Sequence, residues 1–307
     1  MSGRAVEKTF KDYLGPMRVP FLALPPVCIF LGMATAYWER GHISLWYSFL
    51  ALLGALSSHV SVNAFNEYLD FKSGLDARTQ RTPFSGGSGT LVTHPDLALW
   101  TLLVACVSFL IPVVIGFYFL KVWGWGIVPL GLAGLLLVVA YTGWITRRPL
   151  LCLMAPGLGF GILWVMGTHF VLTGRYSWAS FFASLVPFFL VSDLLLLNQF
   201  PDARADATVG RRHLVIVRGE RYSARVYVAF LAMAYLSLAV GVVLGVLPGG
   251  ALLGLGTLVL AVPTAFRVLR HAEDLEGLMP ALGKNVLVNL LTPLLTAVGL
   301  FLSRWLG

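Results

Sequence analysis

Two stretches of this chain end apolar runs in spaced oxygen side chains. Residues 63–76 read NAFNEYLDFKSGLD and residues 198–214 read NQFPDARADATVGRRHL. In a helix, His59, Asn63, Asn66 and Asp70 follow one another at steps of 4, 3 and 4. At about 100° per residue they fall on one face, within roughly 60° of one another. Asn198, Asp202 and Asp206 follow at steps of four, if the helix continues through Pro201. An Asp near a bilayer centre costs roughly 2.5–3.5 kcal/mol, and acids gathered at one membrane face still repel. A divalent cation removes that repulsion. Hard oxygen ligands, with positions left for phosphate oxygens, describe a Mg²⁺ site, and the partial negative charge of two helix C-termini favours a cation there. The oxygen side chains that these spacings gather are Asn66 and Asp70, and Asn198, Asp202 and Asp206. Basic residues surround them: Arg18, Lys72, Arg78 and Arg81 near the first stretch, Arg204, Arg211 and Arg212 near the second, and Arg147 and Arg148 in YTGWITRRP. Arginines around metal-holding acids suit a substrate with several phosphate charges. Apolar helices beneath suit a lipid tail. The residues by themselves therefore describe a membrane enzyme acting on a lipid diphosphate.

The elements that must carry these residues are membrane spans. The chain has 307 residues, 58% hydrophobic and 12% charged, with a mean hydropathy of +0.82. Soluble domains average about 25% charged residues. Apolar runs near 20 residues recur along the length, each able to cross a bilayer core of roughly 30 Å. Hydropathy predicts nine spans: 21–38, 45–70, 97–120, 123–143, 150–173, 178–200, 222–246, 250–268 and 284–306. Several contain proline, which spans tolerate because neighbouring helices satisfy the freed carbonyls. Placing the N-terminus and the loops after spans 2, 4, 6 and 8 on one side puts 18 Lys and Arg there and 4 on the other. The positive-inside bias makes the richer side cytoplasmic. The +8 net charge is then a topology signal. Its dispersal over short loops argues against nucleic-acid binding. The first 20 residues lack the apolar core of a cleavable signal. Cys28, Cys106 and Cys152 show no metal-ligand spacing and read as packing residues.

Both carboxylate stretches close the second span of a group of four. This predicts an all-α polytopic protein around a central cavity, with spans 1–4 and 5–8 as a parallel repeat and a ninth appended. The whole chain, 1–307, reads as one transmembrane domain. Its cytoplasmic parts are residues 1–20, the loop 71–96 and the loop 201–221.

NEYLDFKSGLD and NQFPDARAD resemble the two aspartate-rich motifs of the UbiA superfamily of membrane prenyltransferases. Asn63, the G-x-D ending of the first motif, and GRRHLVIVRG after the second are most similar to the branch that prenylates 1,4-dihydroxy-2-naphthoate for menaquinone. The resemblance implies Mg²⁺ ions bridging both carboxylate sets and a prenyl diphosphate, with Asn66, Glu67, Asp70, Asp76, Asn198, Asp202 and Asp206 as the metal set and Asp70, Asp76, Asp202 and Asp206 as the catalytic acids. It implies diphosphate contacts from Arg18, Lys72, Arg81, Tyr141, Arg147, Arg148 and Arg211, and an aromatic acceptor near His59 and Asn63. A prenyl cation forms in a dry tunnel and is captured by an electron-rich ring carbon; with dihydroxynaphthoate the carboxyl leaves as CO₂. The alternatives are hydroxybenzoate, a tocopherol precursor, a chlorophyllide or haem as acceptor. The implied setting is a bacterial inner membrane with a cytoplasmic active site and no obligatory protein partner. Glu67 stands where the family usually has Asp, and the family's lysine after span 4 has no counterpart.

Other readings compete. The loop 77–95, with its PFSGGSG, is either a lid or a flexible connector. Each loop arginine taken alone is explained equally well by topology, except Arg81, which precedes the TPFSGG turn at a position resembling the family's arginine. Asp193 lies about 140° from the Asn198 face and reads either as a functional intramembrane acid or as an interhelical hydrogen-bonding group, the second being favoured. A transporter with a midplane acid site is disfavoured because the acids sit at one membrane face. A phosphatidyl-group transferase is disfavoured because its D-G-x-x-A-R opening is absent.

Overall fold

A computed structural model describes residues 8–79, 81–84 and 86–306. Arg4 and the rest of the N-terminal 1–7 lie outside the described residues. The described chain is helical throughout, without strands. Nine main elements follow in order: α1 Leu24–Arg40, α2 Leu45–Ser73, α3 Ala98–Trp123, α4 Val128–Ala140, α5 Pro149–Thr173, α6 Trp178–Thr208, α7 Glu220–Val243, α8 Gly249–Arg270 and α9 Leu275–Leu306.

By length and composition, eight helical runs among the described residues can cross a membrane, one of them 46 residues long, Pro95–Ala140. At 1.5 Å per residue a straight helix of that length would reach about 69 Å, more than twice the bilayer core. The run is instead divided by a 3₁₀ turn, Gly124–Ile127, that opens at Gly124 with φ +68°. Only glycine adopts that backbone without strain. The run is therefore the hairpin α3–α4, which reconciles eight continuous runs with the nine predicted spans.

Several boundaries differ from the hydropathy pattern because charged residues depress a window average without ending a helix. α6 runs through Pro201 to Thr208, and α9 begins at Leu275, nine residues before the predicted span. α5 is α-helical to Gly157, π-helical over Leu158–Met166 and α-helical again to Thr173.

α6 forms the axis of the bundle, packed against α1, α5, α7 and α9. Apolar side chains surround it on every side, and most of its residues are buried. Gly157 and Gly161 of α5 permit this closeness. A Cβ on Gly161 would lie 2.5 Å from Phe188 N and 2.6 Å from Ser184 O, both backbone atoms of α6. At the other extreme, α4 buries none of its residues. Trp46, Trp125, Trp178 and Trp305 are exposed at helix ends. If successive helices alternate in direction, all four ends lie on the side opposite the carboxylate motifs, as an interfacial belt requires.

Candidate active site

The two motif helices, α2 and α6, meet at a cavity through one arginine rather than by packing directly. Arg211 follows the end of α6, past a turn with Gly210 at φ +78°. Its guanidinium donates to Asp206 Oδ1 at 2.9 Å and to Asp70 Oδ1 across the cavity in a short ion pair. It also reaches Asn66 Oδ1 at 3.4 Å. Burial works against the Arg211 charge; Asp70 and Asp206 outweigh it, and its pKa rises. The second oxygen of Asp206 meets His213 Nε2 at 3.2 Å.

Because α6 stays helical through Pro201, Asn198, Asp202 and Asp206 remain on one face and all line the cavity. Asn66, Asp70, Asp76, Arg18, Tyr141, His59 and Asn63 line it too. Asn63 donates to Met17 O at 3.2 Å and so secures the turn that presents Arg18. Arg18 is the one non-glycine residue with positive φ among the described residues, at +51°. Such backbone strain persists only where its surroundings fix it. Burial lowers the Arg18 pKa, and Glu67, with Asp70 and Asp76, more than restores it, for a net rise. Burial pushes the Asp76 carboxyl from its ordinary 3.8 up to about 7, and Glu67 and Asp70 add repulsion.

Other expected site residues lie elsewhere. Glu67 is fully enclosed and is not on the cavity wall; its oxygens accept from Arg18 and Ser88. Lys72 is exposed, with its ammonium 5.7 Å from the Tyr68 ring centroid. Arg147 and Arg148 are exposed beyond the cavity wall. Arg147 is the last residue of a 3₁₀ turn, Ile145–Arg147, and Arg148 is its C-cap. Arg81 is exposed, with its guanidinium folded over Gly89. Asp193 is buried off the cavity wall, and among the described residues neither of its oxygens has a hydrogen bond, contrary to the interhelical bond expected of it.

Part of the glycine-rich loop borders the cavity. Gly86 N donates to Asp202 Oδ2 at 3.2 Å, and Gly86, Gly87 and Phe84 line the cavity. Below the polar mouth the lining is apolar, with Leu163, Leu194, Leu195 and Leu290. The π-helical segment places Phe160 and Trp164 there, ring centroids 4.2 Å apart, with His59 edge-on to Phe160 at 5.0 Å. No hydrogen bond reaches the His59 ring among the described residues, and its Nδ1 is enclosed.

A hard divalent cation suits the donor set. Among the described residues, Asp76 Oδ2 and Asn198 Oδ1 are buried oxygens without partners, which costs free energy unless something meets them. The surrounding donors are carboxylate and amide oxygens, as Mg²⁺ prefers. Among the described residues no preformed cage of three His, Cys, Asp or Glu side chains exists. Arg211 stands between Asp70 and Asp206 instead. His213 was not anticipated as a site residue. Its helix ends before it, so no periodicity ties it to Asp206; the only signal was its place in GRRHL.

A membrane-embedded apolar cavity with a carboxylate-rich, arginine-bridged mouth defines a class of enzymes that handle lipid diphosphates. The chain belongs to the UbiA prenyltransferase family, whose model matches residues 24–278, and it is a prenyltransferase. It is 28% identical over 265 residues to a 1,4-dihydroxy-2-naphthoate octaprenyltransferase of Bacillus subtilis, covering 83% of this chain and 81% of the relative. It is 27% identical over 315 residues to the enzyme of that name from Escherichia coli, covering 99% of each. In fold it is similar to a UbiA homolog from Aeropyrum pernix K1, with TM-score 0.64, 17% identity and 94% and 98% of the two chains covered. It also resembles a UbiA homolog from Archaeoglobus fulgidus bound to DMAPP and Mg²⁺, with TM-score 0.59, 11% identity and 94% and 99% covered. Membership of this family sets aside the transporter and phosphatidyl-transfer readings.

Proposed function

We propose that residues 1–307 act as one transmembrane unit that moves a prenyl group from a prenyl diphosphate to 1,4-dihydroxy-2-naphthoate, in menaquinone biosynthesis. The active site opens to the cytoplasmic face of a bacterial inner membrane. The names of the bacterial relatives support the acceptor. The observation that carries the reaction is the junction of the two acidic motifs at Arg211, above an apolar cavity.

Asn66, Asp70, Asp76, Asn198, Asp202 and Asp206 would hold Mg²⁺, which supplies Lewis-acid stabilisation of the departing diphosphate. Arg18 and Arg211 offer fixed positive charge where negative charge grows as the allylic C–O bond breaks and the diphosphate takes the electron pair. The leucine-lined floor receives the prenyl chain and excludes water from the allylic cation. Phe160 and Trp164 present ring faces near that cation, and His59 borders the acceptor. The ring carbon that bears the carboxyl forms the new C–C bond, and the carboxyl departs as CO₂, returning its electron pair to the ring.

The test is a nanodisc assay with Mg²⁺, labelled farnesyl or geranylgeranyl diphosphate and a panel of aromatic acceptors. A prenylated, decarboxylated naphthoquinol is expected, abolished by chelator. Asp70→Ala and Asp202→Ala should each lower the rate at least about a hundredfold, the scale of losing one charge-stabilising group. Product with a different acceptor alone would overturn the naphthoate assignment and leave the transfer chemistry standing.

A further inference from the structure

Glu67 occupies a ligand position in the first acidic motif, yet its surroundings assign it other work. Ser88 N donates to Oε1 at 2.7 Å and Ser88 Oγ to Oε2 at 2.8 Å. Arg18 Nε and Nη2 both stand 2.8 Å from Oε1. A carboxylate offers roughly four lone-pair sites; here three donors crowd Oε1 and one meets Oε2. The side chain has no exposed surface.

Each partner belongs to a strained or glycine-dependent segment. Arg18 holds its positive φ at the junction of two 3₁₀ turns. Ser88 lies among Gly86, Gly87 and Gly89, at φ +86°, +72° and +76°. A Cβ on Gly87 would lie 3.2 Å from both Asp76 Oδ1 and Glu67 Oε1 and 3.6 Å from Arg18 Nη2. The loop backbone thus passes directly over the carboxylates. The circuit closes on itself: Ser88 Oγ also accepts from Thr90 N at 3.1 Å, and Gly15 is pressed against Thr90 and Ser88.

We propose that Glu67 is a positioning residue and not a metal ligand: it ties the glycine-rich loop and Arg18 together over the cavity mouth. One carboxylate on α2 thereby joins the N-terminal turn and the loop by hydrogen bonds to both. Resting on the proposed function, this deepens it. The ordered loop amides and the Arg18 guanidinium are then the groups that meet the diphosphate, and the metal set loses one carboxylate. The longer arm of Glu is what reaches Ser88 and Arg18 together.

The test compares Glu67→Gln, Ser88→Ala and the double variant, with folding verified by size-exclusion chromatography. In detergent without added metal, the amides of Gly86, Gly87, Ser88 and Gly89 should exchange hydrogen about tenfold faster in each single variant, the scale of one hydrogen bond to a charged group. The double variant should add little, because both changes cut one link. In the assay above, KM for the prenyl diphosphate should rise about tenfold with kcat moving less, while half-saturating Mg²⁺ shifts less than about twofold. A large rise in half-saturating Mg²⁺ with loop exchange unchanged in Glu67→Gln would make Glu67 a ligand and overturn the proposal. Unchanged exchange in both variants would overturn it as well. Should the wild-type protein form no prenyl product, the transfer reading fails, and the exchange measurement alone still decides the tie.

Discussion

Arg211 is held by carboxylates from two helices that make no broad contact of their own. Removing one partner of a buried ion pair costs roughly 3–5 kcal/mol, because the remaining charges are left uncompensated. Arg211→Ala should therefore lower the apparent melting temperature of the metal-free protein in detergent, and saturating Mg²⁺ should recover part of the loss. Asp76 makes an opposite prediction. Its folded pKa, about 7, lies above the ordinary 3.8, so the folded protein binds this proton more tightly than the unfolded chain. Stability then falls as pH rises between these values, and the full cost persists above about 7. Asp76→Asn should raise the apparent melting temperature of the metal-free protein at pH 8, with the gain narrowing toward pH 4. For a chain of this size ~1 kcal/mol corresponds to roughly 2–4 °C. Spacing alone pointed to Asp70, Asp202 and Asp206, because helical periodicity converts directly into a shared face. It could not separate Arg211 from Arg147 and Arg148. A basic side chain reads the same in sequence whether it faces a carboxylate or a phospholipid head group.

At the scale of elements, each span predicted by hydropathy overlaps one of the nine main helices, because length and apolarity are strong constraints in a bilayer. Helix ends were less legible: α6 passes Pro201 and continues three residues beyond Arg204–Ala205, where hydropathy had already fallen. The π-helical turn of α5 left no trace in the pattern, since its extra residue per turn is accommodated within a uniformly apolar run. Yet that turn places Phe160 and Trp164 in the cavity. Its fit against α6 depends on Gly161. Gly161→Val should lower the apparent melting temperature and the yield of folded protein, because the clashing atoms are backbone and cannot swing aside. Gly131→Ala in α4 is the control. Its Cβ would meet nothing within 4 Å, and replacing a helical glycine there should be neutral or stabilising by up to ~1 kcal/mol.

For the molecule as a whole, the basic residues assign sidedness by a rule that needs no three-dimensional information. Single cysteines at Arg78 and Arg175, in a cysteine-free background, test it. An impermeant maleimide should label position 78 only from the cytoplasmic face and position 175 only from the other; the reverse pattern would invert the topology. The unequal burial of the helices bears on how the gene can change. In the most apolar window of Trp178–Thr208, 72% of residues are buried within the protein, against 11% for Pro95–Ala140. Lipid is a forgiving neighbour that accepts Leu, Ile, Val or Phe alike, whereas a packed interior accepts one shape. Under selection, the hairpin should drift freely among apolar residues, while the central helix retains side chains of fixed volume. A saturation library scored for growth would map that contrast along the chain, with a tolerant band at 98–140 and an intolerant one at 179–200.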